Sequence, residues 1–278
     1  MISPENKRWN SATTLYIARK IEEVARGRSL KVLDMGCGDG TVIAQVLDAN
    51  HDLYGYDLAY RNDALRAKLG SLFDDFGERF RLTQSEREIP FESQSFDLVY
   101  ANQVFEHVKY FDLMMSECAR VLKPGGTLIM TLPLVTSPIE PHLLVPFAHR
   151  LKPGNFRMKY LQMFYSLNLR PKTKGRTSKE MAREAERFLA EETYYKSASE
   201  ILSRARDHFA ICEMDTGDYV RAKIDLLKGR QHTRNLARAV RLIEGRMLDS
   251  FVTRYIGAAF RLKSPIKVTH PSVSMAVS

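Results

Sequence analysis

Lys31–Met35 (KVLDM) is a short, mostly apolar run that leads into Asp34-Met-Gly36-Cys-Gly38-Asp-Gly40, and a helix-forming stretch, Thr41–Leu47, follows. Glycines in such a turn let the backbone bend sharply and come close to a bound molecule. The helix behind them offers N–H groups that no carbonyl of its own satisfies. The next strand-like run, Asp52–Asp57 (DLYGYD), ends in a carboxylate 17 residues beyond Gly40. In doubly wound folds a carboxylate at that place accepts hydrogen bonds from both hydroxyls of a ribose. Together these residues read as a nucleoside site at the carboxyl ends of neighbouring strands. Taken singly, they reduce to a tight turn and a surface Asp.

A site of this kind needs a frame. Asn10 to Arg26 places Ile17, Ile21 and Val24 on one face of a helix. Strands and helices then alternate: Lys31–Met35, helix Thr41–Leu47, Asp52–Asp57, helix Arg61–Leu69, Phe80–Thr83 and Phe96–Asn102. A helix from Phe111 carries Met114, Cys118, Val121 and Leu122, and Lys123-Pro-Gly-Gly126 stops it. Thr127–Leu132 is the fifth strand. This alternation predicts an α/β, doubly wound, mostly parallel sheet with helices on both faces. After Pro133 the pattern breaks. Capping-box patterns, Thr177-x-x-Glu180 and Ser197-x-x-Glu200, open helices over Ser178–Glu192 and Ala198–Asp207. Phe209–Met214 reads as a sixth strand, 232–250 as an amphipathic helix and Phe251–Leu262 as a last strand.

VLDMGCGDG resembles the first motif of class I S-adenosylmethionine-dependent methyltransferases, in the branch called type 11. The similarity continues through Gly55–Asp57 (GYD), Ile89–Val108 (IPFESQSFDLVYANQVFEHV) and Leu122–Pro133 (LKPGGTLIMTLP), in the family's order and spacing. The resemblance implies a seven-stranded Rossmann-like methyltransferase fold whose last strand is antiparallel, with a helical insertion after strand five. It implies S-adenosyl-L-methionine as cofactor. Asp34, Gly36 and Gly38 would line its methionine and ribose side, and Asp57 would hold the ribose diol. The backbone around Ser85 and Glu86 would meet the adenine, and Gln103 would sit near the methionine moiety. Ser85 stands where the family usually has Asp, so its adenine contact rests on a hydroxyl and on neighbouring Glu86.

The implied reaction is an in-line displacement at a sulfonium methyl, for which the cofactor supplies the electrophile. The protein must align the nucleophile and exclude water. An oxygen nucleophile calls for a proton acceptor, and His107, beside Glu106 after strand four, is the first candidate. The alternative is that Glu106-His107 caps and positions the following helix. His142 and His149, in the segment Glu140–Arg150 that covers the acceptor in this family, are further candidates, or else ordinary loop histidines. Some quinone-pathway O-methyltransferases and small-RNA methyltransferases carry Glu-x-x-Glu-His after strand four and bind a divalent metal with it. Here the motif is Gln103-Val-Phe-Glu106-His107. An amide replaces the first carboxylate, hard cations prefer carboxylates, and no metal is expected.

The charge sharpens the question of the acceptor. The formal net charge is +9, but residues 1–140 carry −4 and residues 141–278 carry +13. No acidic residue occurs from Pro141 to Lys179, a stretch with nine Lys and Arg interleaved with Phe156, Tyr160, Phe164 and Tyr165. An aromatic and basic surface suits an anionic membrane or a nucleic acid; the alternative is a lid helix with its aromatics in a core. The organisation expected is an N-terminal helix (1–27), a methyltransferase domain (28–262) that includes a basic acceptor-side insertion (134–192), and a loose tail (263–278). The chain reads as an enzyme acting on a small-molecule, glycan or lipid-linked acceptor, on oxygen. An RNA methyltransferase and a non-catalytic cofactor-binding partner subunit are the alternatives. Three cysteines without metal-ligand spacing, a polar N-terminus and the lack of a long apolar run suggest the cytoplasm, and the basic aromatic stretch suggests a peripheral place at a membrane.

Overall fold

The computed structural model describes residues 11–264 except 39, 48–49, 59–66, 68, 172 and 229–257. Its strands are β1 Lys31–Met35, β2 Asp52–Leu58, β3 Phe80–Thr83, β4 Phe96–Asn102, β5 Leu122–Leu132, β6 Ile211–Met214 and β7 Ala258–Lys263. They form one sheet in the order β3-β2-β1-β4-β5-β7-β6. The first five pair in parallel, and β7 runs antiparallel to both β5 and β6. This is the doubly wound, mostly parallel seven-stranded sheet that the alternation and the resemblance anticipated.

The helices are α1 Ala12–Ala25, α2 Thr41–Val46, α3 Phe76–Arg79, α4 Phe111–Val121, α5 Asn155–Ser166, α6 Ser178–Glu191, α7 Ala198–Ala205 and α8 Thr216–Lys228. Successive side chains of a strand point to opposite faces, so each central strand feeds two cores. Val32, Leu98, Tyr100 and Ile129 pack on one face with Ile17, Ile21, Ile43 and Tyr219 from α1, α2 and α8. Leu33, Met35, Val99 and Met130 pack on the other with Met114, Cys118 and Ile201 from α4 and α7. Helix α1 is pinned to α8 by Lys20, 2% exposed, whose ammonium lies 3.0 Å from Asp215 and also pairs with Asp218.

Between β5 and α7 the chain builds a third, smaller core from Val145, Leu161, Tyr165, Ala182, Ala185 and Leu189. Helices α5 and α6 supply most of it. The expected capping box is present in full: Thr177 accepts from the Glu180 N–H at 3.2 Å, and Glu180 accepts from the Thr177 N–H at 2.8 Å. At α7 Ser197 accepts from the Glu200 N–H at 3.2 Å, while the Glu200 carboxylate turns to Arg204, also 3.2 Å away.

Three elements differ from the sequence expectation. Strand β5 starts at Leu122, because Lys123-Pro-Gly-Gly126 ends α4 and is taken into the strand as an irregular stretch, with Gly125 at φ +76°. A register shift between Phe96 and Leu98 absorbs the extra residues. Helix α8 was not anticipated, and α5 corresponds to the lid helix that stood only as an alternative for the basic stretch. The helices expected over Arg61–Leu69 and 232–250, part of the last strand, and the tail lie largely or wholly outside the described residues.

Candidate active site

The carboxyl ends of β1, β2 and β4 open into one cleft, continuous with solvent and lined by Gly36, Asp57, Ser85, Glu86, Gln103 and His107 among others. Gly36 has φ +69°, and a Cβ placed there would come 2.5 Å from Val104 Cγ2, so only glycine lets the turn close under β4. Gly38, at φ +55°, would meet nothing. Its N–H donates to Asp57 Oδ2 at 2.6 Å, and the Leu58 N–H donates to Oδ1 at 2.7 Å. These bonds fix the Asp57 carboxylate against the glycine turn.

The other residues named by the resemblance line this cleft or the one beside it. Asp34 is 2% exposed and lines an adjoining cleft with Ser11, Thr14, Gly36, Gly38 and Gln103. The buried Tyr100 hydroxyl is held un-ionised, first by burial and then by the Asp34 charge. Ser85 accepts from the Arg87 N–H at 3.2 Å, which leaves its own O–H to donate, and exposed Glu86 is adjacent. Gln103 sits at φ +56° with its N–H bonded to the Thr131 carbonyl at 2.8 Å. A left-handed glutamine is strained, and such strain concentrates at functional sites. A carboxylate for a diol, a close-approaching glycine turn and apolar walls from Met35, Leu58, Val104 and Met114 suit a nucleoside-bearing sulfonium cofactor.

The structure brings together two histidines that are far apart in sequence. His107 Nδ1 lies 2.6 Å from the Glu192 carbonyl, and its Nε2 lies 3.2 Å from His142 Nε2. His142 Nδ1 lies 3.0 Å from Glu140 Oε1 and 2.9 Å from the Tyr195 hydroxyl. Tyr195 and the Leu143 N–H both donate to Glu140, which is fully buried. Burial pushes the Glu140 carboxyl up, but the bonds from His142, Tyr195 and Leu143 outweigh it and hold the group below the usual carboxylate range. Burial, then Glu140, keeps the Tyr195 hydroxyl protonated. Phe188 of α6 closes the group, its ring 5.3 Å from His142.

His149 is not part of this pair. Its Nε2 donates to the Val135 carbonyl at 3.2 Å, and its ring stands 5.0 Å from Tyr195, behind the cluster. Burial lowers its basicity. Glu106 does not cap α4: the residue before that helix is Tyr110, which makes no side-chain capping bond. The Glu106 side chain is instead fully buried, with no hydrogen-bond partner for either oxygen among the described residues. Burial pushes its carboxyl up to about 8. Glu140, Phe188, Glu192 and Tyr195 escaped the sequence reading. Only the Glu140-x-His142 spacing hinted at one of them.

Among the four aromatics of the basic stretch, only Phe156 is widely exposed, at 72%. Tyr160, Phe164 and Tyr165 pack in the insertion's own core. Arg157 is likewise internal, paired with Glu186 at 2.5 Å.

A family model for a methyltransferase domain matches residues 33–130. The sterol 4-C-methyltransferase of Caenorhabditis elegans is 32% identical over 119 residues, covering 41% of this chain and 34% of that protein. The ubiquinone biosynthesis O-methyltransferase of a Bradyrhizobium species is 33% identical over 120 residues, covering 41% of this chain and 45% of its own. The chain thus spans about a third to a half of the length of these relatives. The crystal structure of an S-adenosylmethionine-dependent methyltransferase from Mesorhizobium loti superposes with a TM-score of 0.53 at 16% identity, over 91% of this chain and 98% of that one. That likeness bears on the fold. The aligned motifs hold the glycine turn, Asp57, Gln103 and His107, the residues that line the cleft. Over residues 33–130 the chain therefore carries a segment similar to this methyltransferase domain.

Proposed function

We propose that the chain transfers the methyl group of S-adenosylmethionine to an oxygen of a small-molecule, glycan or lipid-linked acceptor. The observation that carries this reading is the meeting of His107, from the cofactor domain, with His142, from the insertion, where both line the cleft that also holds Gly36, Gly38 and Gln103. S-adenosylmethionine supplies an electrophilic methyl group when bound. Asp57 and the Gly36–Gly38 turn hold the nucleoside end. Phe188 and the insertion exclude water, and the imidazole pair stands ready to take a hydroxyl proton.

The acceptor side favours an apolar molecule with an ionisable head. A second cleft joins the first at His142 and Phe188 and is walled by Leu143, Tyr165 and Met181, with Glu184 and Arg187 also lining it. No helix among the described residues is long and apolar enough to cross a membrane. The test is a transfer assay with methyl-labelled S-adenosylmethionine against lipid, glycan and RNA extracts. Label in the lipid or glycan fraction, in an ether linkage or ester, is the expected result. Label confined to RNA, or to none of the three, rejects the reading.

A further inference from the structure

Glu106, His107 and His142 each bring a ligand atom into one space where these atoms lie within 4.8 Å of one another. The partners of the two imidazoles dictate their tautomers. A carbonyl oxygen only accepts, so the bond from His107 to Glu192 O places the proton on Nδ1. The Glu140 carboxylate likewise takes its bond from His142 Nδ1–H. Each neutral ring then turns its Nε2 lone pair toward the other, at 3.2 Å. Two facing lone pairs repel unless a cation engages both. Nitrogens bound at about 2.0–2.1 Å to one tetrahedral ion stand about 3.3 Å apart. Glu106 is 0% exposed, and both its oxygens lack a partner among the described residues. A carboxylate buried that way is costly unless a cation meets it.

We propose that Glu106, His107 Nε2 and His142 Nε2 hold one divalent transition-metal ion of the zinc class, with Glu140 orienting His142. Two imidazoles and one carboxylate suit such an ion better than magnesium or calcium, which take oxygen ligands. A carboxylate bonded to the far nitrogen of a ligating histidine is the usual support for such a ring. Gln103 removed a carboxylate from the motif after β4, and for that reason the sequence spoke against a metal. The insertion returns a ligand, His142, from the other side of the cleft. With the ion bound the two Nε2 atoms would be ligands and not proton acceptors, so the ion would act in their place, as a Lewis acid that makes an acceptor hydroxyl more acidic, and the imidazole pair would serve as base only in the ion-free protein. It would also tie the insertion to the sheet. Metal binding does not depend on the proposed reaction.

The experiment strips the full-length chain with a chelator and titrates it with zinc, and separately with magnesium, by calorimetry. Cobalt(II) serves as a visible-absorption probe of the ligand set. One zinc per chain, no magnesium uptake and a cobalt ligand-field band are expected. His142→Ala and Glu106→Gln should each weaken zinc binding by at least about 100-fold, and Glu140→Gln by about 10–100-fold. Glu106→Gln keeps the side-chain volume, and circular dichroism checks each variant for folding. Wild-type protein that takes up no zinc overturns the proposal, and so does equal affinity in the folded Glu106→Gln and His142→Ala variants; both would point to a proton shared between the histidines. S-adenosylmethionine affinity is followed on the same samples. Its absence with zinc binding retained would count against the proposed function and not against the metal.

Discussion

At the scale of residues, the meeting of Asp57 with the glycine turn was legible because it is local. Gly36, Gly38 and Asp57 lie within one strand–turn–helix–strand unit, and their spacing alone placed a carboxylate beside a glycine turn. The bond from Gly38 N–H to Asp57 Oδ2, 2.6 Å long, is the physical form of that spacing. The histidines were legible only as candidates. His107 and His142 are 35 residues apart, and nothing in a linear pattern states that their rings meet. His149 carried the same promise as His142 in sequence, yet it faces the Val135 carbonyl. The difference lies in the turn at Phe147, whose φ is +54° and which no periodicity foretells. A general base contributes about 10²–10⁴-fold to rate. We therefore expect His107→Ala and His142→Ala to lower kcat by that order while S-adenosylmethionine affinity changes little. Wild-type turnover in both variants, measured by labelled methyl transfer, would remove the pair from the chemistry.

At the scale of elements, capping residues announced α6 and α7, whereas α5 stood only as an alternative without bounds. In α5 the apolar residues Phe156, Met163 and Leu161 lie on both the exposed and the buried sides. No single stripe therefore marks the helix. Its anchor is ionic instead: Arg157, 3% exposed at its side chain, bonds Glu186 of α6 through Nε at 2.5 Å and Nη2 at 3.1 Å. Glu186 also accepts from the Gly154 N–H at 2.7 Å, at the start of α5. Removing one member of a buried pair leaves the other charge uncompensated, at roughly 3–5 kcal/mol for full burial. We expect Glu186→Ala to destabilise the α5–α6 unit by roughly 3 kcal/mol, near the lower end of that range because Glu186 is partly exposed. Amide hydrogen exchange should speed up in α5 and α6 and not in β1 or β4. Because α6 carries Phe188 and leads into Glu192, the acceptor side should loosen with it. Unchanged exchange across 155–191 would contradict this account of the insertion.

At the scale of the whole molecule, the division of charge acquires a location. Most residues that line the clefts around Gly36 and Gln103 belong to the acidic half of the sequence. The basic half includes the insertion, whose outer surface exposes Phe147, Phe156, Met163, Leu167 and Leu169. Exposed Lys152, Lys159, Lys174 and Lys179 lie in the same segment, while Arg157 serves the interior. Apolar tips among lysines suit an anionic bilayer surface, from which a lipid-linked acceptor would reach His142. The chain should therefore sediment with vesicles containing anionic phospholipid at low salt and be released at high salt. Equal binding to neutral vesicles would remove the electrostatic part of that idea. The topology was readable from the alternation of strands and helices. The division of labour among the basic residues was not, since burial and pairing decide which charges face outward.

The central claim is that the cleft at the ends of β1, β2 and β4 binds S-adenosylmethionine through Asp57. Calorimetric titration of the full-length chain with S-adenosylmethionine, wild type beside Asp57→Ala, tests it most directly. The expected result is one cofactor per chain, with affinity weakened by about 1–3 kcal/mol in the variant, the scale of a lost hydrogen bond to a charged group. Wild-type protein that binds no S-adenosylmethionine, or an Asp57→Ala variant that binds it equally well, would contradict the account.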